Sequence, residues 1–195
     1  MSKIYKYDDY DHYIETQKKT TDLKYGKLVY IQANVANAIF QEFKDKNVKN
    51  ILCHGTRSGN EQQMFKDLFD CYVWGSELSK LAKDTPMTTI WDFNKPNPDW
   101  VGKFDMVYSN SFDHSITPLE TISVWKEQLA HGGRLMIEWT DHQNGVPEAT
   151  DPFAATEEEI VALATENGLE LEKKLLEKRA KHAGSVLVFK VRDNE

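Results

Sequence analysis

Residues 50–61 constrain the fold of this chain more than any other stretch, because an apolar run there ends abruptly in a turn bounded by two glycines. Positions 51 and 52 are apolar and typical of a short buried strand. Gly55 and Gly59 allow a tight turn and a close approach of the backbone to a ligand, since glycine has no Cβ. Asn60 can cap a helix whose apolar residues follow at helical spacing. The stretch therefore predicts a strand, a glycine turn and a helix whose N-terminus can meet a nucleotide-like ligand.

The rest of the chain alternates between predicted strands and helices. The predicted strands cover residues 51–52, 71–77, 87–91, 104–109, 134–139, 169–176 and 185–191. Helices are predicted at residues 28–43, after Asn60, and over a short piece at 78–82. Two more begin at capping boxes: one runs from Thr117–Glu120 to Gly132–Gly133, and the other from Thr156–Glu159 to Gly168. The last two strands are joined by a polar loop that contains Lys181 and His182, which predicts an antiparallel pair.

Carboxylates follow the second and third predicted strands. Glu77 lies 22 residues after Gly55 (77 − 55), which suits a carboxylate that accepts hydrogen bonds from ribose hydroxyls. A solvated residue at a strand end is the alternative interpretation of Glu77. Asp92 ends the third strand, level with Glu77 and the glycine turn.

These features together resemble the class I S-adenosylmethionine-dependent methyltransferases, over about residues 28–191. The resemblance implies an α/β, Rossmann-like three-layer sandwich with a seven-stranded, mostly parallel sheet of order 3-2-1-4-5-7-6, in which strand 7 is antiparallel. The runs 104–114 and 129–135 look like the family's fourth strand with its loop and the turn before its fifth strand. The sequence at 54–59 matches the first family motif in part, because Arg57 stands at the usual middle glycine and Cys53 at the usual acidic residue.

The resemblance also implies S-adenosylmethionine as the cofactor. Glu77 would take the ribose hydroxyls, Asp92 the adenine amino group with Trp91 or Phe93 beside the ring, and Asn110 would lie near the methionine part. The implied cofactor-binding residues are Gly55, Thr56, Arg57, Gly59, Glu77, Trp91, Asp92, Phe93, Asn110 and Ser111.

Methyl transfer from a sulfonium is an in-line displacement, so the protein mainly aligns the reactants and excludes water. If the acceptor is a hydroxyl or an ammonium, a base must remove its proton. His114, after the fourth strand, is the first candidate for this catalytic role, Asp113 is the alternative, and Asp141–His142 is a third. A loop histidine bonded to the backbone is the structural alternative for His114.

Two other functions stay open at this point. An NAD-dependent oxidoreductase also uses a glycine turn and an acidic strand end, although GxGxxG is absent because Arg57 occupies its second glycine. The second open function is that of a catalytically silent binding partner that has a cofactor-binding fold. No GxxxxGK[ST] loop occurs, and no His, Cys and carboxylate residues have a metal-binding spacing, so no metal is expected.

Composition limits the partners. A net charge of -7 over 195 residues disfavours nucleic acid. The Gly-Thr-Arg turn and the Trp-Asp-Phe sequence at 91–93 bring to mind methyltransferases of bacterial glycan and small-molecule pathways, so a small-molecule or glycan-type substrate is expected. The sequence has no signal peptide and no apolar run near the roughly 18 residues of a membrane span, which predicts a cytoplasmic protein without membrane contact.

Residues 1–26 form a predicted segment of their own before a methyltransferase-like domain at 27–195. The segment is polar and rich in tyrosine, and cannot build a core by itself. Two interpretations are open: a frayed terminus, or a lid that folds over a ligand with its tyrosines inward.

Overall fold

A computed structural model of the protein describes residues 3–178 and 183–192, and a sheet of seven strands forms its centre. The strands, in chain order, are β1 (Lys3–Ile4), β2 (Asn50–His54), β3 (Tyr72–Glu77), β4 (Thr88–Ile90), β5 (Phe104–Ser109), β6 (Leu129–Thr140), β7 (Phe153–Ala154), β8 (Leu169–Lys178) and β9 (Ala183–Val191). The large sheet has the order β4-β3-β2-β5-β6-β9-β8, and β9 is antiparallel to both neighbours. Numbered among themselves, its strands follow the predicted order 3-2-1-4-5-7-6, which is confirmed.

Helices cover both faces of this sheet, as the predicted three-layer sandwich requires. The helices are α1 (Tyr10–Lys24), α2 (Ala33–Phe43), α3 (Asn60–Phe69), α4 (Pro118–Gln128) and α5 (Glu157–Glu166). Neighbouring strand residues point to opposite faces. Ile51 packs with residues of α2 and α3, whereas Leu52 packs with residues of α4 and α5. The central strands are buried on both sides, which explains their continuous apolar sequences.

The predicted helix start is correct at α5, correct in position but not in its cap at α4, and wrong by one residue at α3. Thr156 and Glu159 form the reciprocal capping box of α5. α4 begins at Pro118, as the predicted cap at Thr117 requires, but the Thr117 side chain makes no capping bond. At α3 the capping position is Gly59, with φ 76°, and Asn60 is already helical.

Three predicted boundaries are also corrected. The helix expected from residue 28 begins only at Ala33, and β4 is shorter than the predicted strand at 87–91. Gly132 and Gly133 do not end α4, because they lie inside β6, where the pairing with β5 shifts register between Phe104 and Met106. A Cβ at Gly133 would stand 2.8 Å from the Phe104 carbonyl oxygen, so this glycine serves an irregular strand. The predicted loop residues Lys181 and His182 lie outside the described residues.

The N-terminal segment is folded. It contains β1, which pairs with β7, and the helix α1 of 15 residues. Asp9 caps α1 by accepting a hydrogen bond from the backbone of His12. None of the helices in the described ranges is both long and apolar enough to cross a membrane.

His54 ends β2 inside the core, with 2% of its surface exposed. Its ring stacks on Trp125 at 4.8 Å, its Nε2 lies 2.8 Å from Gln128 Oε1, and its Nδ1 lies 2.7 Å from Ser76 Oγ. Burial lowers the pKa of His54 to about 4, with the Gln128 hydrogen bond opposing this shift. The neutral ring is therefore the form that the fold accommodates.

We expect His54 to make stability depend on pH. Its pKa is lower in the folded chain than the ordinary value near 6.5, so the unfolded chain binds the proton more readily. The neutral His54 ring contributes to the free energy of unfolding in full above pH 6.5. This contribution, on the order of 3 kcal/mol, is lost as the pH falls towards 4. Chemical denaturation of wild type and His54→Gln across this range measures it. His131→Gln, at an exposed histidine, is the control, and a His54→Gln curve parallel to wild type would contradict the prediction.

Candidate functional site

The glycine turn after β2 has the left-handed backbone that its sequence predicts. Gly55 has φ 73° and Gly59 has φ 76°, and Arg57 between them has φ 46°. The turn is tied to β3, because the backbone N–H groups of Gly55 and Thr56 donate to the Ser76 carbonyl at 3.0 and 3.2 Å.

Glu77 joins the same turn to the end of β3. Its Oε2 accepts a hydrogen bond from the Arg57 backbone at 2.7 Å. Its Oε1 accepts from the backbones of Leu78 at 2.7 Å and Ser79 at 3.0 Å. Glu77 is 5% exposed, so the structure rejects the interpretation of this residue as a solvated strand end.

Asp92 follows β4 and faces the same space. Its Oδ1 accepts from the backbone and side chain of Asn94, at 3.0 and 2.8 Å, and its Oδ2 accepts from the Tyr10 hydroxyl of α1. Burial raises the pKa of the Asp92 carboxyl, and the hydrogen bonds from Asn94 oppose this. Trp91 and Phe93 stand on either side of Asp92 in the chain, and Phe93 lies beside Gly55.

The turn, Glu77 and Asp92 surround one small cavity, which we call the inner cavity. Its volume is about 40 Å³. It is lined by Tyr13, Gln17, Thr20, Thr21, Gly55, Arg57, Glu77, Leu78, Trp91, Asp92, Phe93, Ser111 and His114. Most of the predicted cofactor-binding residues are in this set. Sequence reasoning missed Gln17, Thr20, Thr21 and Leu78, three of which belong to α1.

A larger cavity of about 320 Å³, the outer cavity, adjoins the inner one. Arg57, Ser111 and His114 line both. The predicted residues Asn110 and Asp113 line the outer cavity, whereas Thr56 and Gly59 line neither cavity. The other residues of the outer wall are Lys24, Tyr30, Glu138, Thr140, His142, Gln143 and Asp151.

Helix α1 closes the inner cavity through polar contacts with distant parts of the chain. The Tyr13 hydroxyl donates to the His114 carbonyl at 3.1 Å and accepts from the Asn94 side chain at 2.8 Å. Asp22 accepts from the Ser79 hydroxyl, and the Tyr25 hydroxyl lies 2.9 Å from Thr85 Oγ1. Tyr13 and Gln17 are the buried residues of this helix.

The predicted catalytic residues lie in a short 3-10 turn at Phe112–His114, directly after β5. His114 Nδ1 is 2.9 Å from Gln17 Oε1, and its Nε2 is 3.7 Å from Asp151 Oδ1. Burial raises the pKa of the Asp113 carboxyl, and the charge of His114 opposes this shift. Asp113, His114 and Asp151 each offer an atom within 4.8 Å of the others. Sequence spacing alone could not bring Asp151 to the other two.

Two further charged positions complete the site. Glu61, near the start of α3, is 6% exposed, and its Oε1 accepts from the Asn110 side chain at 3.1 Å. Burial raises the pKa of Glu61 to about 7. In the sequence, only the position of this acidic residue two places after Gly59 could have indicated its role. The third candidate base, Asp141–His142, lies in an exposed turn, where His142 lines the outer cavity.

Comparison with known proteins identifies the fold. No protein-family model and no curated protein sequence matches the chain. A solved 1,6-didemethyltoxoflavin-N1-methyltransferase of Burkholderia thailandensis, with bound 1,6-didemethyltoxoflavin and S-adenosylhomocysteine, is similar at a TM-score of 0.77 and 15% identity, over 97% of this chain and 93% of that chain.

Two further solved structures extend the comparison. An S-adenosylmethionine-dependent methyltransferase of Clostridium acetobutylicum has a TM-score of 0.67 and 12% identity, over 94% of this chain and 99% of that chain. The [4+2]-cyclase SpnF has the same score and identity, over 95% and 94%. The chain therefore has the Rossmann-like fold of class I methyltransferases. Because a cyclase shares it, the reaction must be argued from the site.

We expect Gly55 to tolerate alanine poorly for two reasons. Its φ is positive, and a Cβ there would stand 2.7 Å from Ser111 Cβ. Gly102 is the matched control, because its φ is 68° and nothing lies within 4 Å of an added Cβ. Gly102→Ala should cost about 1–2 kcal/mol of unfolding free energy, and Gly55→Ala a further 1–3 kcal/mol or so. Urea denaturation of both variants tests this. Equal losses would show that the Ser111 contact gives way without cost.

Proposed function

We propose that the protein transfers a methyl group from S-adenosylmethionine to a small-molecule acceptor. The observation that supports this most directly is the inner cavity. The ends of three adjacent parallel strands bring a left-handed glycine turn, two carboxylates and an aromatic pair around it. Parallel sheets of this type bind nucleotides at the carboxyl ends of their strands. A relative in fold that binds S-adenosylhomocysteine adds support.

Glu77 and Asp92 are proposed to hold the nucleoside. Glu77 Oε2 has one backbone donor, and a carboxylate oxygen can accept two hydrogen bonds, so a ribose hydroxyl can join it. Asp92 Oδ2 accepts from the Tyr10 hydroxyl, and an adenine amino group would take the place of that donor. Trp91 and Phe93 would flank the ring.

The methionine end of the cofactor is proposed to lie towards Arg57, Asn110 and Ser111. Arg57 stands on the border of the two cavities with its guanidinium 4.7 Å from the centre of the Tyr30 ring. This placement suits a positive charge that meets the methionine carboxylate. Asn110 is oriented by Glu61, so the buried acid would act on the cofactor through its neighbour.

The acceptor is proposed to occupy the outer cavity. The two cavities share Arg57, Ser111 and His114, so a methyl group at their border would face an acceptor beyond it. The site would align nucleophile, methyl carbon and sulfur and keep water away. His114 as the proton acceptor, with Asp113 as its alternative, stays a prediction. A glycan-type acceptor, a cytoplasmic location and the absence of nucleic-acid partners also remain predictions.

Helix α1 is proposed to act as a lid, as one interpretation of the tyrosine-rich segment predicts. The inner cavity of about 40 Å³ has room for a few water molecules, which is far too little for a nucleoside. Tyr13, Gln17, Thr20 and Thr21 fill the remaining space. Cofactor binding therefore requires α1 to move, and its return would exclude water from the reacting centre.

We expect S-adenosylhomocysteine to bind the purified protein and Glu77→Gln to weaken this binding. An amide cannot provide the same acceptors, and leaving buried donors unpaired costs about 1–3 kcal/mol, or roughly tenfold or more in affinity. Isothermal titration calorimetry measures both proteins, with Glu120→Gln at an exposed glutamate of α4 as the control.

The same titrations separate the alternatives. Binding of NAD without S-adenosylhomocysteine would replace methyl transfer by an oxidoreductase function, and binding of neither would favour a silent partner. Equal affinities of wild type and a folded Glu77→Gln variant would remove Glu77 from the cofactor site.

We expect the bound cofactor to protect α1 from proteolysis. Trypsin can cleave after Lys18, Lys19 and Lys24 only when the helical backbone of the lid unfolds locally, and contacts with the ligand should make this opening rarer. Cleavage there should become several times slower in the presence of S-adenosylhomocysteine. Cleavage after Lys44 and Lys46, which follow α2, gives the internal control. Unchanged cleavage of α1 at saturating ligand would show that it is not a lid.

A further inference from the structure

Three side chains at the wall of the outer cavity form a group whose arrangement the proposed function does not explain. Asp113 and His114 follow β5, and Asp151 precedes β7. One ligand-type atom from each lies within 4.8 Å of the other two. Atoms bound to one ion at about 2.1 Å lie roughly 3.0–3.4 Å apart. Each atom would thus have to move by less than about 1 Å to share an ion.

The hydrogen bonds of Gln17 fix the proton on the His114 ring. Gln17 Nε2 lies 3.2 and 3.3 Å from the carbonyl oxygens of Ala149 and Thr150, which can only accept. Its Oε1 is therefore the acceptor that faces His114 Nδ1 at 2.9 Å. Nδ1 carries the hydrogen, and the lone pair of the neutral ring is on Nε2. In a metal-binding histidine, the ring nitrogen that does not bind the metal usually donates its hydrogen to an oxygen acceptor.

That lone pair accepts no hydrogen bond in the described part of the chain, whereas Thr150 donates to Asp151 Oδ2 at 2.9 Å and Gln143 hydrogen-bonds the Asp113 carboxyl. Asp151 Oδ1 is 3.7 Å from His114 Nε2, which is too long for a hydrogen bond. Asp113 Oδ1 is shielded from solvent and accepts no hydrogen bond from the part of the chain that the structure describes. The two carboxylates repel each other, and a cation bound between them would offset this repulsion.

We propose that Asp113, His114 and Asp151 bind a divalent transition-metal cation. Carboxylate oxygens favour Mn²⁺ and Mg²⁺, and imidazole favours Zn²⁺ and Fe²⁺. The mixed set of two oxygens and one nitrogen suits Mn²⁺, Fe²⁺ or Zn²⁺. Three protein ligands leave coordination positions open towards the outer cavity, which all three residues line.

The consequence for chemistry rests on the proposed function. A hydroxyl oxygen of the acceptor that binds the open position would lose its proton to solvent more easily. The resulting alkoxide or phenolate would attack the methyl carbon as the carbon–sulfur bond breaks. The bond electrons stay on sulfur, which leaves neutral S-adenosylhomocysteine. His114 would then be a ligand and not the base.

Titration with Mn²⁺ tests the site directly. The full chain, freed of metal by EDTA and dialysed, is titrated with MnCl₂ by calorimetry and by electron paramagnetic resonance. We expect one ion per chain, and binding at least tenfold weaker in Asp151→Asn and in Asp113→Asn. Glu148→Gln, an exposed acid of the same loop, should bind like wild type.

Melting curves in EDTA show whether each variant is folded. If the more buried Asp113→Asn fails to fold, Asp151→Asn decides, because its side chain is 42% exposed. Absence of Mn²⁺ binding to wild type, or equal binding to folded Asp151→Asn, would overturn the inference. S-adenosylhomocysteine is titrated in EDTA on the same samples. If S-adenosylhomocysteine binds and Mn²⁺ does not, only the cation site is rejected. If Mn²⁺ binds and S-adenosylhomocysteine does not, the cation site stands and the proposed function is rejected.

Discussion

The site depends on one buried carboxylate that is held by backbone amides. Glu77 accepts hydrogen bonds from Arg57, Leu78 and Ser79, so the loop after β2 and the loop after β3 share an anchor. A buried carboxylate is tolerated only when such donors replace its water. The anchor therefore does two things. It satisfies the charge of Glu77, and it fixes the left-handed turn around Gly55, which in turn sets the distance between the backbone and any ligand of the inner cavity. Strand order brings these loops together, but this carboxylate holds them in one geometry.

The attachment of α1 has the opposite character. Tyr10, Tyr13, Gln17 and Asp22 hold it by hydrogen bonds to loops at the strand ends, in which Asp22 accepts, and only two of its residues are buried. Segments with little buried apolar surface open at low cost in free energy. Water can replace each of these polar partners when the helix lifts. Buried strands thus form the floor of the inner cavity, and α1 covers it through polar contacts. The proposed lid depends on this combination, because it would admit a cofactor and then enclose it.

The parts that the sequence predicted are those with a local or periodic signal. The glycine turn, the seven strands with their order and the carboxylates at 77 and 92 are of this kind, although the strand order itself came from the family resemblance. Helix α1 gave no such signal, because its sequence is polar on nearly every side and its partners are 57–133 positions away. The sequence at Gly132 and Gly133 wrongly predicts a helix end, because glycine is common at bulges as well as at helix caps. Asp151 reaches His114 only because β1 pairs with β7 and places the loop before β7 beside α1, a contact between distant segments that no spacing encodes.

Gln17 connects the cover to the chemistry of the outer cavity. Its amide nitrogen binds the carbonyls of Ala149 and Thr150, next to Asp151, and its oxygen fixes the tautomer of His114. When α1 lifts, both ends of this amide lose their partners at once. The His114 ring is then free to turn, and the loop that carries Asp151 loses an attachment. In the proposed function, closure of the lid over the cofactor and ordering of the acceptor side would therefore be parts of the same structural change. A site arranged in this way is complete only when the cofactor is enclosed, and an open site lacks the geometry to activate water or a wrong acceptor.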